Sequence, residues 1–348
     1  MVTPFDLWAS RFVTYGSTEW LIGIAAVLGW LISRWCWHWI DCLTWERSVW
    51  TFRLCPACGK QQPKQPISNR MLGFVKGQKC PTCGATQPCY LLGSLIVTLL
   101  FAAFAWSVGK GQCQSLTEGG SVDWIHWRIL YHLTLITLLI VATGVDFRVY
   151  LIPDSITIPG MILGIAGAMW FANLQLIPVW INANLEVPRL EGPYIPIWIK
   201  QHGHWHGLVW SLTGLVTGAG LTWLVREISS RILGQEAMGL GDVTLMAMIG
   251  SFVGWQPVLF IFALAPVCGI LIAIAARFLT GKTYVPYGPY LSAATLIVLF
   301  SWRWLWTPLK YVFGHPPTIG LLVGGSLLAL AILLTAIRVF RSIPVTRN

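Results

Sequence analysis

Gly239-Leu240-Gly241-Asp242 opens onto Val243-Thr244-Leu245-Met246-Ala247-Met248-Ile249-Gly250-Ser251-Phe252-Val253-Gly254-Trp255, a run with no other ionisable residue. An ionisable group at membrane depth is expensive and usually faces the protein interior, so Asp242 marks a candidate site. Gly239 and Gly241 give a backbone that an extended ligand strand can approach closely. The same aspartate reads equally well as a helix N-cap. What favours a site is a second acid, Asp146, at the end of another long apolar run. Two carboxylates at one membrane face can share a proton and activate a water.

Working outward, apolar runs close to the ~20 residues needed to span a bilayer recur along all 348 residues. The chain is 55% hydrophobic and 10% charged, with a mean hydropathy of +0.66. This predicts an all-α polytopic membrane protein of eight to nine transmembrane helices. The net charge of +10 is spread thinly and follows topology, so nucleic acid is not an expected partner, whereas the lipid bilayer is. Tryptophans such as Trp20, Trp37, Trp106, Trp127, Trp255, Trp302 and Trp304 edge the apolar runs, as an interfacial belt requires. The first run has no basic segment before it and no small-residue cleavage site after it, which predicts an uncleaved span.

Spans are expected at about Glu19–Ile40, Tyr90–Val108, Trp127–Val145, Ser155–Leu174, Gly207–Arg226, Val243–Trp255, Pro257–Phe278, Tyr287–Trp304 and Thr318–Phe340. The sixth is too short to cross a ~30 Å core as a straight helix. Basic residues including Arg148, Arg226, Arg231, Arg277, Arg338, Arg341 and Arg347 place the C-terminus in the cytoplasm. Asp146, Asp154 and Asp242 then share the cytoplasmic face. Gly160 with Gly164, and Gly214 with Gly218, are spaced for close helix packing.

Between Asp41 and Cys89 the chain turns polar and basic, which makes this stretch a cytoplasmic insert. Within it, Cys55-Pro-Ala-Cys58 and Cys80-Pro-Thr-Cys83 form two C-x-x-C pairs, each followed by glycine. Four thiolates in two pairs suit a tetrahedral zinc site, closed and therefore structural. A reducing compartment argues against disulfides. Cys36, Cys42, Cys89, Cys113 and Cys268 read as packing residues. His202-Gly203-His204-Trp205-His206 alternates histidines without a neighbouring acid or cysteine, and is expected to be a solvated outer loop.

Taken together, these motifs resemble the prepilin peptidases (type IV leader peptidases) of the GxGD aspartic protease class. The insert with paired cysteines resembles that family's zinc domain. Asp146-Phe-Arg-Val-Tyr-Leu-Ile-Pro153-Asp154 and Gly239-Leu-Gly-Asp242-Val-Thr-Leu-Met-Ala resemble its two catalytic motifs. Gly254-Trp255 and Pro286-Tyr287-Gly288-Pro289-Tyr290 resemble further signatures. The resemblance implies Asp146 and Asp242 as catalytic pair, with Asp154, Gly239 and Gly241 in support. It implies a multi-pass protein of the bacterial inner membrane that cleaves the basic leader of type IV prepilins or pseudopilins at the cytoplasmic face. Pilus or secretion assembly components are implied as further partners.

Many members also methylate the new N-terminus with S-adenosylmethionine, a function assigned to the N-terminal part. Here the chain departs from the family. Gly29-Trp30-Leu31-Ile32-Ser33-Arg34 stands where a Gly-Ser-Phe-Leu-Asn-like segment is usual, Tyr90-Leu91-Leu92-Gly93-Ser94 where Tyr-Pro and Glu are usual, and Thr244 where lysine is usual. The expected organisation is a first span in 1–41, the zinc insert in 42–89, a peptidase core in 90–316 and an additional helix with basic tail in 317–348. The rival reading is a transporter using Asp146 and Asp242 as a proton or cation relay. It would be favoured by inverted repeats, and the sequence has none.

Overall fold

The computed structural model describes residues 18–48, 50, 54–61, 79–85, 90–110, 113, 123–171, 174–187, 192–194, 196–281 and 286–342. It divides into two compact units, the first holding residues 1–113 and 118–156, the second 114–117 and 157–348. Cys89 and Arg347 lie outside the described residues.

In the first unit, α1 (Thr18–Thr44), α2 (Leu91–Gly109) and α3 (Asp123–Val149) pack against one another. Small residues permit this: a Cβ at Gly93 would overlap the Trp37 ring, and one at Gly144 would overlap Ile40. Leu135, Ile136, Leu139, Val141 and Val145 of α3 are buried, making it the central element of the unit.

α4 (Asp154–Phe171) leads into the second unit. A small antiparallel hairpin follows, β1 (Asn182–Val187) with β2 (Gly192–Tyr194), paired Asn182 to Tyr194 and Val187 to Gly192. Then come α5 (Ile197–Gln201), α6 (Gly203–Leu233), α7 (Leu240–Val253), α8 (Trp255–Thr280), α9 (Gly288–Phe313) and α10 (Pro316–Ser342). α6 and α7 form the most extensive pairing of this unit. A Cβ at Gly214 would overlap the Gly250 carbonyl, and one at Gly218 the Met246 carbonyl, so the backbones touch there as the glycine spacing predicts. Ser211 Oγ adds a 2.7 Å hydrogen bond to the Ser251 carbonyl.

The protein is a multi-pass membrane protein. Among the described residues, seven helices (α1, α2, α3, α4, α6, α8 and α10) are long and apolar enough to cross a bilayer. The other two expected spans are helical but unlike the rest. α7 has only 14 residues, and α9 has 26 but carries Arg303 and Lys310. None of α10's most apolar window is buried among the described residues.

Two local expectations are corrected. Trp302, assigned to the interfacial belt, is fully buried and packs edge-on against Phe260 and in a stack with Trp306. Trp20, Trp106, Trp127 and Trp304 are exposed, as the belt requires. The histidine segment is no solvated loop. His206 sits in the first turns of α6, is 3% exposed, and accepts a 3.0 Å hydrogen bond from the Val179 N–H.

Candidate functional site

Cys55, Cys58, Cys80 and Cys83 come together, with all four sulfurs within 4.8 Å of one another. The two C-x-x-C turns are built alike. Gly59 N–H donates to the Cys55 carbonyl at 2.8 Å, and Gly84 N–H to that of Cys80 at 2.9 Å. Both glycines have positive φ, 64° and 71°, a conformation that side chains resist. Cys55 Sγ lies 3.8 Å from Cys83 Sγ, and Cys58 Sγ 4.0 Å from Cys80 Sγ. A tetrahedral ion with ~2.3 Å bonds to sulfur needs sulfurs ~3.8 Å apart, so the four residues fit one such metal ion. Hydrogen bonds from the backbone N–H groups of Cys83 and Thr82 lower the Cys80 thiol to about 6, which favours its thiolate.

Asp242 lies in the first turn of α7 and is 8% exposed. The loop before it is tied back to α6. Arg226 donates from Nε to the Met238 carbonyl at 3.0 Å and from Nη2 to Glu236 at 3.1 Å. Ser230 Oγ accepts from the Ala237 N–H. Gly239 has φ −71°, and a Cβ there would meet Asp242 Oδ2 only at 3.8 Å, an ordinary contact. The local fold therefore does not demand glycine at 239; the bare backbone keeps the approach to the carboxylate open. Thr244 closes the turn through its hydroxyl, which donates to the Gly241 carbonyl at 3.1 Å.

Tyr287, just before α9, is half-buried and packs edge-on against Tyr290. At the far end of α7, Gly254 turns the chain with φ 81°, and a Cβ there would overlap the Trp210 indole.

Asp146 lies in the last turn of α3 and is 4% exposed. Its carbonyl accepts a 2.9 Å hydrogen bond from the N–H of Tyr150, which ends the helix at φ 57°. A bulky residue in that left-handed conformation is strained, and such strain gathers at functional sites. Asp154 is exposed at the first turn of α4. Asp146 belongs to the first unit and Asp242 to the second.

Residues 193–274 match the sequence profile of the Type IV leader peptidase family, and Asp242 falls inside the match. The chain is similar to the type IV leader peptidases. The Prepilin leader peptidase/N-methyltransferase of Xanthomonas campestris pv. campestris is 26% identical over 214 residues, covering 61% of this chain and 58% of that protein. A protein of the same name from Neisseria gonorrhoeae is 24% identical over 265 residues, 75% of each chain. The Type 4 prepilin-like proteins leader peptide-processing enzyme of Escherichia coli is 28% identical over 143 residues, 38% of this chain and 52% of the relative. The match to the Xanthomonas and Escherichia proteins thus spans only a little over half of their length. No solved structure matches the chain.

Beside the leader-peptidase motifs stand residues that the motifs do not single out. Tyr287 was visible only as part of an aromatic, proline-rich signature. Asp41 and Tyr90, which meet Arg148, carry no local signal because their partner is far along the chain.

Proposed function

We propose that this protein is an aspartic endopeptidase that removes the basic leader of type IV prepilins or pseudopilins. The observation that carries the reading is Asp242, buried in the first turn of α7 inside the stretch that matches the leader peptidase profile. Asp146, buried at the end of α3, is its proposed partner.

In the proposed reaction the two carboxyls share one proton. The ionised carboxylate takes a proton from water as the water oxygen bonds to the scissile carbonyl carbon. The protonated partner gives its proton to the carbonyl oxygen, leaving a neutral tetrahedral diol. Cleavage of the C–N bond then sends a proton from one carboxyl to the departing nitrogen, while a diol hydroxyl returns its proton to the other. Gly239 and Gly241 leave room for an extended substrate backbone, and Asp154 supports from the start of α4.

Zinc is the proposed ion of the four cysteines, held as a closed structural centre that supplies folding energy to a polar insert. The proposed setting is the bacterial inner membrane, with insert, acids and C-terminus on the cytoplasmic side. Pilus or secretion assembly components are the proposed neighbours. The names of the relatives suggest N-methylation with S-adenosylmethionine as a second step.

The test is co-expression with a type IV prepilin, followed by a mobility shift and N-terminal sequencing of the product. Cleavage directly after a glycine, lost with Asp242→Asn, is the expected result. An unprocessed prepilin with wild-type protein present at normal level would overturn the reading.

A further inference from the structure

The first unit carries a polar cluster outside the acid pair. Asp41, in the last turns of α1, is 7% exposed. Its Oδ1 accepts from Arg148 Nη1 at 2.5 Å, and its Oδ2 accepts from Tyr90 Oη at 3.2 Å. Three elements meet there: the end of α1, the residue before α2, and the last turn of α3. Arg148 is two residues beyond Asp146. Asp41 and Tyr90 are also where the cysteine insert leaves the helices and returns to them.

The insert is fastened to the same corner. Trp45, one residue past α1, donates from Nε1 to the Pro56 carbonyl at 3.2 Å. A Cβ at Gly59 would lie 2.7 Å from the Trp45 ring, so the first cysteine turn rests directly on this indole. Contacts therefore run from the first cysteine turn to Trp45, four residues along the chain from Asp41, and from Asp41 through Arg148 to the helix turn bearing Asp146.

We propose that Asp41, Tyr90 and Arg148 form a positioning clamp that fixes the Asp146 turn of α3 and couples it to the docked cysteine insert. The clamp rests on the peptidase reading above. Its physical basis is the cost of leaving the buried Asp41 carboxylate without its partner, a cost tempered by the 27% exposed Arg148 side chain. The turn it fixes ends in the strained Tyr150, a place where the chain would otherwise relax. Misplacement of a reacting group by about an ångström is enough to cost ~100-fold in rate.

The experiment is a double-mutant cycle on purified full-length protein with a purified type IV prepilin as substrate. Asp41→Asn keeps volume while removing charge, and Arg148→Gln leaves a shorter, neutral side chain that still donates hydrogen bonds. Each should lower kcat by ~10- to 100-fold with KM nearly unchanged, because substrate contacts stay intact. The double variant should be no worse than the poorer single, since both break one unit. Trp45→Ala should lower kcat likewise while the bound metal stays at the wild-type level.

Wild-type kcat in either single variant, or a double variant whose loss is the product of the two, would overturn the clamp. If either charge-neutral variant fails to accumulate, Tyr90→Phe decides in its place. It removes one hydroxyl and should lower kcat several-fold, and no change overturns the proposal. Asp146→Asn is measured alongside. If that variant cleaves normally, the peptidase reading fails; if it is inactive while the clamp variants are unaffected, only the clamp fails.

Discussion

The helices that carry Asp242 and Asp146 are packed in different ways, although the loop before Asp242 also uses an ion pair, Arg226 with Glu236. α7 is held by shape: Gly214 and Gly250 bring two backbones into contact, and Gly164 receives the Ser251 side chain of α7. The end of α3 is held by charge, through Arg148 on Asp41. Shape leaves no room for an added methyl at Gly214, Gly218 or Gly250. A charge pair tolerates changes of volume but not the loss of one partner. The two acids should therefore be equally necessary for chemistry, yet their surroundings should fail to different substitutions.

The sharpest test of that contrast removes the acids themselves. Asp146→Asn and Asp242→Asn should each lower leader cleavage by at least ~10²–10⁴-fold, as loss of acid–base chemistry does. Protein level should be unchanged, because removing a buried acid also removes its desolvation cost. Asp154→Asn, on an exposed residue, should be milder. Immunoblots for protein and prepilin provide both readings, and normal processing by either single variant at matched expression sinks the pair.

The insert offers a third kind of fastening, by metal. Cys55→Ser with Cys80→Ser should abolish binding of the ~1 equivalent of zinc that four thiolates hold. Elemental analysis of the purified protein measures it, and full zinc retention would reject the assignment.

The shape side of the comparison is tested at Gly250→Ala. Its new Cβ would strike the Gly214 backbone, which cannot move aside as a flexible side chain can. Overpacking of this kind costs ~1–3 kcal/mol, read as a lower melting temperature in detergent. An unchanged transition would mean that α6 and α7 are not locked by backbone contact.

The smallest effect is expected from Thr244→Val, which keeps shape and loses the hydroxyl bond to Gly241. A cost of ~1 kcal/mol fits one hydrogen bond in a partly buried turn. A much larger loss of kcat, at unchanged stability, would move Thr244 from the turn into the reaction.

Features set by neighbours in sequence were legible in it. The C-x-x-C-Gly turns are local hydrogen-bonded units, so spacing alone announced them. Long apolar runs announced the spans, and the glycine spacing of α6 announced its tight face. What escaped depends on partners far along the chain. Arg148 meets Asp41 across 107 positions, and His206 meets Val179 across 27. Nothing in the pattern around His202–His206 distinguishes a wet loop from the start of a helix whose third histidine is buried. Trp302 escaped for a related reason: its neighbours Arg303 and Trp304 look interfacial, while its own ring faces Phe260 and Trp306.

The brevity of α7 has a consequence for hydration. Fourteen residues rise only ~21 Å, while bilayer hydrocarbon is ~30 Å thick. With its Gly254 end level with one edge of the hydrocarbon, such a helix stops ~9 Å short of the other edge. Asp242 sits at that unfinished end. On the peptidase reading, either the bilayer thins around it or the protein leaves a recess above it, because the proposed hydrolysis needs water at that carboxylate.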